Sequence, residues 1–359
     1  MHLNLAHRYN PRSMNLLITG GAGFIGANYA AHHLKLGNTV AILDDLSRPR
    51  TLHNMHWLRE QAAHLRCEDH LIFYKCDIRD FEQLLHIFRQ TAPDLVAHLA
   101  GQVAVTTSVA NPRMDFEINA LGTFNVLEAA RAMDNPPAVI FSSTNKVYGG
   151  MEDVVVVLDG ERYRYRDYPF GIAEDRPVDP KSPYGCSKCA ADQYVHDYAR
   201  IYGLRTVVFR QSTIYGPRQF GVEDQGWLAW LMIATVTGRP ITIYGDGRQV
   251  RDMLYIDDLI AVYDAAWARI DAVAGEVFNM GGGPENTLTI WSETGPMLEA
   301  WAGRPIPVTY ADWRPGDQRV FISDNRKAER LLGWRPKVSV QEGARRLWDW
   351  IVANRDLFD

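Results

Sequence analysis

The sequence predicts an α/β protein with a doubly wound parallel sheet and a smaller α+β lobe. Three features support this class: apolar strand segments that alternate with helical segments, a glycine-rich turn after the first strand, and an aspartate that closes the second strand. Strands that are apolar on both faces and linked by helices are typical of parallel sheets covered by helices. A chain of 359 residues has room for both parts.

Six strand segments are expected in the first part of the chain: NLLITG, NTVAILDD, LIFYKCD, LVAHLA, AVIFSS and LRTVVFR. Helical segments such as GFIGANYAAHHLKLG, which Gly37 closes, separate most of them. After about Arg210 the pattern is less regular, although two helices are expected near the end of the chain. We therefore expect a leader at 1–13, a first domain at 14–210 to which 240–275 returns, and a second lobe within 211–359.

Residues 151–180 interrupt the alternation with a charged, tyrosine-rich stretch. A long segment of this kind is either a lid over a site or a surface excursion.

Composition narrows the function classes. A net charge of -5 argues against nucleic acid as the main partner, and no apolar run approaches the ~20 residues of a membrane helix. Cys186 and Cys189 form a C-x-x-C pair, but no second pair or zinc-like histidine spacing accompanies it. We expect no metal, reduced cysteines and a cytoplasmic location.

The segment TGGAGFIG, residues 19–26, predicts a dinucleotide site. Gly20, Gly23 and Gly26 lie between a strand and a helix, where the backbone can approach a pyrophosphate and the helix N-terminus offers free N–H groups. Asp44 ends the second strand and can bind ribose hydroxyls, which favours NAD over NADP. Arg48 is close enough to leave NADP open as an alternative. The fold is thus expected to be Rossmann-like.

Two further strand ends complete the expected cofactor site. Asp77, in CDIRD, follows the third strand and can contact an adenine edge. The segment HLAGQV ends the fourth strand with small residues, against which a nicotinamide ribose can lie.

Tyr184 and Lys188 are the expected catalytic pair. They lie in SPYGCSK, where Pro183 suits a helix start, and residues i and i+4 share one helix face. A free tyrosine has a pKa of ~10, and a neighbouring ammonium favours the phenolate and lowers that value. The pair is then able to accept a proton from a sugar hydroxyl.

Together the segments TGGAGFIG, HLAG, SST, SPYGCSK, IYGPRQ and RQVRDMLYIDDL resemble the extended short-chain dehydrogenase/reductases that modify nucleotide sugars. The resemblance covers almost the whole chain from residue 14. It is closest to members that epimerise CDP-linked deoxyhexoses at C2, on segments such as SSTNKVYGG, DQGW and DQRVFISD. It implies NAD as cofactor and makes the second lobe the nucleotide-sugar-binding part.

The resemblance assigns roles residue by residue. The implied catalytic residues are Tyr184, Lys188 and Thr144. The implied cofactor contacts are Gly20, Gly23, Phe24, Ile25, Gly26, Asp44, Leu46, Ser47, Arg48, Asp77, Ile78, Leu99, Ala100, Gln102, Ser142, Tyr184 and Lys188. The implied substrate contacts are Thr144, Asn145, Lys146, Gln211, Thr213, Gln219, Gln225, Trp227, Arg251 and Arg314. Thr213 departs from the family, which has Asn before YGP.

Asn145 and Lys146 distinguish this chain within the family. Dehydratases of the superfamily have an acid and a base, typically Asp-Glu, at the two positions after the threonine. Asn145 cannot act as a general acid, and a protonated Lys146 can only donate hydrogen bonds or stabilise negative charge. Elimination is therefore disfavoured, and epimerisation by hydride transfer out and back is expected. A purely charge-neutralising role for Lys146 stays open.

The expected reaction oxidises C2 to a 2-keto sugar, which turns in the site before hydride returns to the other face. The alternatives are a 2-epimerase of GDP- or UDP-hexoses, a 4-epimerase, and a non-catalytic NAD-binding regulatory protein. The resemblance also implies a homodimer or homotetramer, paired through helices within 112–133 and 182–202.

Overall fold

The computed structural model describes residues 13–314 and 317–358. Residues 1–12 of the expected leader lie outside the described residues.

The first half of the chain forms the elements that carry the cofactor motifs. They are β1 (Asn15–Thr19), α1 (Phe24–Lys35), β2 (Thr39–Asp44), α2 (Thr51–Leu65), β3 (Leu71–Lys75), α3 (Phe81–Thr91), β4 (Leu95–His98), α4 (Val105–Ala110), α5 (Pro112–Phe116), α6 (Gly122–Arg131) and β5 (Ala138–Thr144). A π-helical turn, Glu117–Leu121, joins α5 to α6.

The second half begins with a hairpin and the long helix of the predicted catalytic pair. Its elements are β6 (Val156–Asp159), β7 (Arg162–Tyr165), α7 (Ser182–Tyr202), β8 (Thr206–Gln211), β9 (Thr213–Tyr215), α8 (Trp227–Thr237), β10 (Ile241–Tyr244), β11 (Val250–Tyr255), α9 (Ile256–Ala268), α10 (Ile270–Val273), β12 (Glu276–Met280), β13 (Thr287–Thr289), α11 (Thr294–Ala302), β14 (Val308–Ala311), β15 (Val320–Phe321), α12 (Arg326–Leu332) and α13 (Val340–Ala353).

A seven-stranded parallel sheet organises the first domain, in the order β12-β8-β5-β4-β1-β2-β3. The chain leaves β1 toward β2 on one side and reaches β4 on the other, so the strand order reverses between β1 and β4. Thr19 and His98 are paired there. Ligands of such sheets bind outside the carboxyl ends of the strands at this point. The predicted fold class is confirmed.

Alternate residues of the strands point to opposite faces and build a core on each. Leu16 and Ile18 of β1 belong to the core that α1, α2 and α9 cover. Leu17 belongs to the opposite core, beneath α3 and α6. Each fully buried aliphatic or aromatic side chain of this kind stabilises the fold by roughly 1.5–3 kcal/mol. The sheet is thus packed on both faces beneath the site.

The smaller lobe is organised around β11, which pairs with β9, β13 and β15. The predicted return of residues 240–275 to the first domain differs from these pairings. β10 pairs with β14 in the smaller lobe, whereas β12, at Glu276–Met280, is the seventh strand of the large sheet. Helix α9 also packs against α1. The returning segment is therefore 256–280.

Residues 151–180 form a hairpin of β6 and β7 that is part of the smaller lobe. Val154, Tyr165 and Ile172 share a core cluster with Val250 and Phe321. This packing shows that the segment is not merely a surface excursion. Among the described helices, none combines the length and apolar composition needed to cross a membrane.

Candidate active site

The glycine-rich turn holds β1 and α1 close to the end of β4. Gly20 has φ +68°, and a Cβ there would lie 2.7 Å from the Ala100 nitrogen. A Cβ on Gly26 would lie 2.6 Å from the Gly20 oxygen. No side chain caps the N-terminus of α1, and its first turn, which contains Phe24 and Ile25, has no acidic residue. The turn therefore fits a dinucleotide, whose pyrophosphate such a terminus binds.

Asp44 is buried at the end of β2, next to this turn. Its Oδ2 accepts from the Ala22 nitrogen at 3.0 Å and its Oδ1 from the Leu46 nitrogen at 2.9 Å. Burial raises the pKa of Asp44, and these two backbone hydrogen bonds oppose the rise. A carboxylate has about four acceptor positions, so two are left for ribose hydroxyls.

The loop after Asp44 is more exposed. Ser47 donates through both its nitrogen and its hydroxyl to Asp45. Arg48 donates to the Gln225 side chain, so a predicted cofactor residue contacts a predicted substrate residue.

The predicted adenine contact lies after β3. Arg79 binds the Asp77 carboxylate at 2.6 Å and, through its side-chain hydrogen bonds, lowers the pKa of Asp77. Ile78 is buried beside Gly122. A contact from Asp77 to adenine stays a prediction.

The segment after β4 is fixed by Thr19. The Thr19 hydroxyl accepts from the nitrogens of Leu99 and Ala100, at 3.2 and 3.3 Å, and lies 2.7 Å from His98 Nδ1. Burial lowers the pKa of His98 to about 3, so the imidazole is neutral. This arrangement sets the backbone against which the nicotinamide ribose is expected to lie.

Helix α7 places the predicted catalytic pair at the ends of β4 and β5. Tyr184 and Lys188 are both buried, at 8% and 6% exposure. Lys188 Nζ donates to the Ser142 oxygen at 2.6 Å and lies 4.2 Å from the Phe141 ring centroid. Thr144 is close enough to Tyr184 for its hydroxyl to lower the pKa of the phenol. The three predicted catalytic residues thus converge.

The electrostatics of the pair differ from the expectation. Burial raises the pKa of Tyr184 to about 12, against the lowering effect of its hydrogen bond to Thr144. Burial also lowers the pKa of Lys188 to about 7. The lysine ammonium is bound to the Ser142 carbonyl, and desolvation dominates both groups. An additional positive charge near Tyr184 is needed to make its phenolate accessible.

Thr144, Asn145 and Lys146 lie at the end of β5, in the turn that faces α7. The Thr144 hydroxyl accepts from the Lys146 nitrogen at 3.2 Å. Burial, followed by the nearby Arg251 charge, lowers the pKa of Lys146 to about 8. Arg251 binds Asp317 at 2.7 Å. Lys146 and Arg251 are therefore neighbouring cations, as a site for a diphosphate requires.

The other predicted substrate residues fall into three groups. Gln211 pairs in register with Thr144, and Thr213 begins the next strand, so both lie near the sheet end. Gln225 and Arg314 belong to a loop cluster: Arg314 binds Asp224 at 3.0 Å, and Thr106 donates to the same carboxylate. This cluster connects the two lobes.

Gln219 and Trp227 lie beneath that loop. Gln219 donates to the Ile214 oxygen at 3.1 Å. Its Oε1 and the Trp227 Nε1 are buried without a hydrogen-bond partner among the described residues. Such groups suit a polar ligand.

The sequence reasoning missed Asp115, Ser187 and Asn119. The side chain of Gln102, predicted to bind the cofactor, donates to Asp115 Oδ1 at 2.8 Å and to the Ala104 oxygen. Ser187 and Asn119 bind the same carboxylate. Asp115 and Ser187 are 72 positions apart, and no spacing rule joins them.

A second titratable cluster lies away from this site. Asp264 Oδ2 is hydrogen-bonded to His32 at 2.7 Å, and its Oδ1 lies 3.2 Å from His33 Nε2. Asn38 Oδ1 accepts from the Met14 nitrogen, so its Nδ2 donates to His33 Nδ1 and leaves the proton of His33 on Nε2, facing Asp264. The cluster is thus explained by hydrogen bonds rather than as a set of metal ligands.

A family model and a known relative both match nearly the whole chain. The family model described as GDP-mannose 4,6 dehydratase matches residues 17–347. The chain is 43% identical over 342 residues to CDP-paratose 2-epimerase of Salmonella typhi, covering 94% of this chain and 99% of the relative.

Two solved structures are similar throughout. UDP-glucose 4-epimerase of Thermotoga maritima, crystallised with UDP-glucose, has a TM-score of 0.79 and 31% identity, covering 96% of this chain and all of its own. dTDP-glucose 4,6-dehydratase of Streptomyces venezuelae, crystallised with NAD, has a TM-score of 0.78 and 30% identity, with 95% and 98% coverage.

The Gly26→Ala variant is predicted to lose bound dinucleotide and at least ~1 kcal/mol of stability. The added methyl would press on the backbone oxygen of Gly20 and open the turn. Thermal unfolding and the nicotinamide content of the purified protein measure both effects.

Gly203→Ala is the matched control, because its Cβ meets open space and the variant bears only the strain of φ +69°. It is expected to keep its dinucleotide. Full nicotinamide content in Gly26→Ala would contradict the assignment of the turn.

Proposed function

The chain belongs to the nucleotide-sugar epimerase and dehydratase family that the GDP-mannose 4,6 dehydratase model describes, and we propose that it epimerises a CDP-linked deoxyhexose at C2 with NAD as cofactor. The proposed reaction is of the CDP-paratose to CDP-tyvelose type. The 43% identity to a CDP-paratose 2-epimerase over nearly the full length of both chains supports this choice over a UDP- or GDP-linked substrate.

The observation that carries the proposal is the turn next to Tyr184. The resemblance assigns the acid and base of dehydratases to positions 145 and 146, and here these are an amide and an amine. Tyr184 and Thr144 lie beside them, close enough for Thr144 to lower the pKa of the tyrosine. The site therefore retains the groups for proton transfer to and from a hydroxyl but lacks the carboxylates for elimination at these positions.

Tyr184 accepts the proton of the C2 hydroxyl while that carbon is oxidised and returns it when the carbon is reduced. Thr144 donates to the oxygen on which negative charge develops. Lys188 stabilises the phenolate from the same helix face. When bound, NAD supplies the hydride acceptor and donor, and its oxidised ring adds the positive charge that the buried tyrosine needs.

Three cations support binding of the nucleotide diphosphate. Lys146 lies beside Arg251, and the Arg314 guanidinium lies 3.9 Å from the Tyr244 ring centroid. Guanidinium groups bind phosphate oxygens through paired N–H bonds. We propose that Asp317 and Asp224, which hold the two arginines, are released when the diphosphate binds.

A panel of CDP-, GDP- and UDP-linked sugars, followed by NMR, tests the proposed reaction. The expected result is conversion of CDP-paratose toward a mixture with CDP-tyvelose, without net consumption of NAD. Tyr184→Phe is predicted to lower this turnover by ~10²–10⁴-fold, since it removes the proton acceptor.

Tyr310→Phe, at an exposed tyrosine of the smaller lobe, is the matched control and is expected to retain full turnover. Turnover confined to C4 of a UDP-sugar would contradict the proposal. So would full activity of Tyr184→Phe, and absence of turnover with any sugar would favour a non-catalytic protein.

We also propose that the chain forms a homodimer or homotetramer through α5, α6 and α7. Exposed apolar side chains on this face support it, namely Phe116, Leu121, Tyr194, Ile201 and Tyr202. Light scattering is expected to give the mass of two or four chains, and Ile201→Arg to reduce it. Tyr310→Arg is the control on another surface, and a monomeric wild type would contradict the proposal.

A further inference from the structure

Asp115 is a fully buried carboxylate next to the catalytic helix. It lies on α5, and its exposure is 0%. Ser187 Oγ donates to its Oδ2 at 2.5 Å, and Gln102 Nε2 and Asn119 Nδ2 donate to its Oδ1 at 2.8 and 3.1 Å. Ser187 is the residue between Tyr184 and Lys188 that directly precedes the lysine. The carboxylate therefore ties the segment after β4 to α7.

The orientation of both amides is fixed by backbone groups. The Ala104 nitrogen donates to the Gln102 side-chain oxygen, and the Gln102 nitrogen donates to the Asn119 side-chain oxygen. Both amide nitrogens must consequently face Asp115. Oδ1 thus accepts two N–H groups, and Oδ2 accepts from Ser187. Burial raises the pKa of Asp115, and the hydrogen bonds from Ser187, Gln102 and Asn119 oppose this rise, because they favour the ionised carboxylate.

The donors to Asp115 are all neutral, so its charge has no ion-pair partner in direct contact among the described residues. Asp192, the other carboxylate that acts on Lys188, is bound to Arg210 at 2.8 Å inside the protein. Two opposite charges in such a pair largely compensate one another at a third site. Asp115 is therefore the second carboxylate that acts on Lys188, after Asp192, and it is not itself held in an ion pair among the described residues.

The remaining charged groups around α7 do not change this balance. His98 is neutral on β4. On α5 and the π turn, Arg113 binds Glu117 at the surface. On α6, Arg131 binds Glu128. Lys146, on the turn after β5, interacts with Arg251 and Asp317 instead.

We propose that Asp115 is a positioning residue for the reaction: its carboxylate locks Ser187 and Gln102 in place and, together with Asp192, supplies negative charge that favours the ammonium form of Lys188. The inference depends on the proposed function, in which Tyr184 and Lys188 carry the proton transfer. The same negative charge raises the pKa of Tyr184, because it repels the phenolate. It also raises the pKa of Lys188, because it attracts the ammonium. Asp115 thus sets the pH range in which the pair works.

The test is the pH dependence of turnover in Asp115→Asn. Loss of the negative charge lowers the pKa of both Tyr184 and Lys188, so both limbs of the bell-shaped kcat profile are expected to move to lower pH by about one unit. At the alkaline limb, kcat is expected to fall about tenfold, because one pKa unit changes the ratio of ammonium to amine by that factor.

Two variants separate this effect from a loss of packing. Asp258→Asn removes another buried carboxylate that accepts only neutral donors, the backbone nitrogens of Lys337 and Val338. Asp258→Asn is expected to leave both limbs of the kcat profile at the pH values of the wild type. Ser187→Ala removes a hydrogen bond but keeps the Asp115 charge, so it is expected to lower kcat without moving the limbs.

A second measurement needs no substrate. The ultraviolet difference between each protein and its Tyr184→Phe counterpart, followed during a pH titration, reports the ionisation of Tyr184 alone. The midpoint is expected to be lower with Asp115→Asn than with the wild-type residue. An unchanged midpoint and an unchanged pH profile would overturn the inference, whereas a wild type that turns over no CDP-sugar would overturn the proposed function but not this midpoint shift.

Discussion

The hydrogen bond from the Lys188 ammonium to the Ser142 carbonyl is the contact on which the site depends. It joins the fifth strand to the catalytic helix at the carboxyl edge of the sheet, and it holds a cation in a place that water barely reaches. Thr144, rather than the lysine, is the side chain that lowers the pKa of Tyr184. Desolvation therefore opposes both charged forms, and the working state of the pair requires additional charges close by.

Those charges come from opposite sides of the pair. Asp115 supports the ammonium from the segment after the fourth strand, and the oxidised nicotinamide is expected to favour the phenolate from the cleft. Across the cleft, the loop of Asp224 and Gln225 contacts Thr106, Arg48 and Arg314, and so joins the two lobes over the site. An anionic ligand that replaced Asp224 beside Arg314 would exchange one ion pair for another. The Arg314 guanidinium would therefore stay paired.

The features that the sequence predicts correctly are local ones. The glycine turn, the six strands and the spacing of Tyr184 and Lys188 depend on neighbouring residues, because helix and strand periods place them without knowledge of the rest. Asp115 depends on contacts between distant segments and on the π turn that orients Asn119, so no local pattern indicates it. The predicted boundary near residue 240 differs from the strand pairing for the same reason, since the partner of that strand lies more than sixty residues later.

The central claim is that hydride leaves C2 and returns to C2 while Tyr184 handles only the hydroxyl proton. CDP-paratose that carries deuterium at C2, converted by the wild-type protein in ordinary water, tests this claim most directly. The account predicts that NMR of the CDP-tyvelose product finds the deuterium still at C2. Replacement of that deuterium by solvent hydrogen would contradict it, since this exchange requires deprotonation of the carbon.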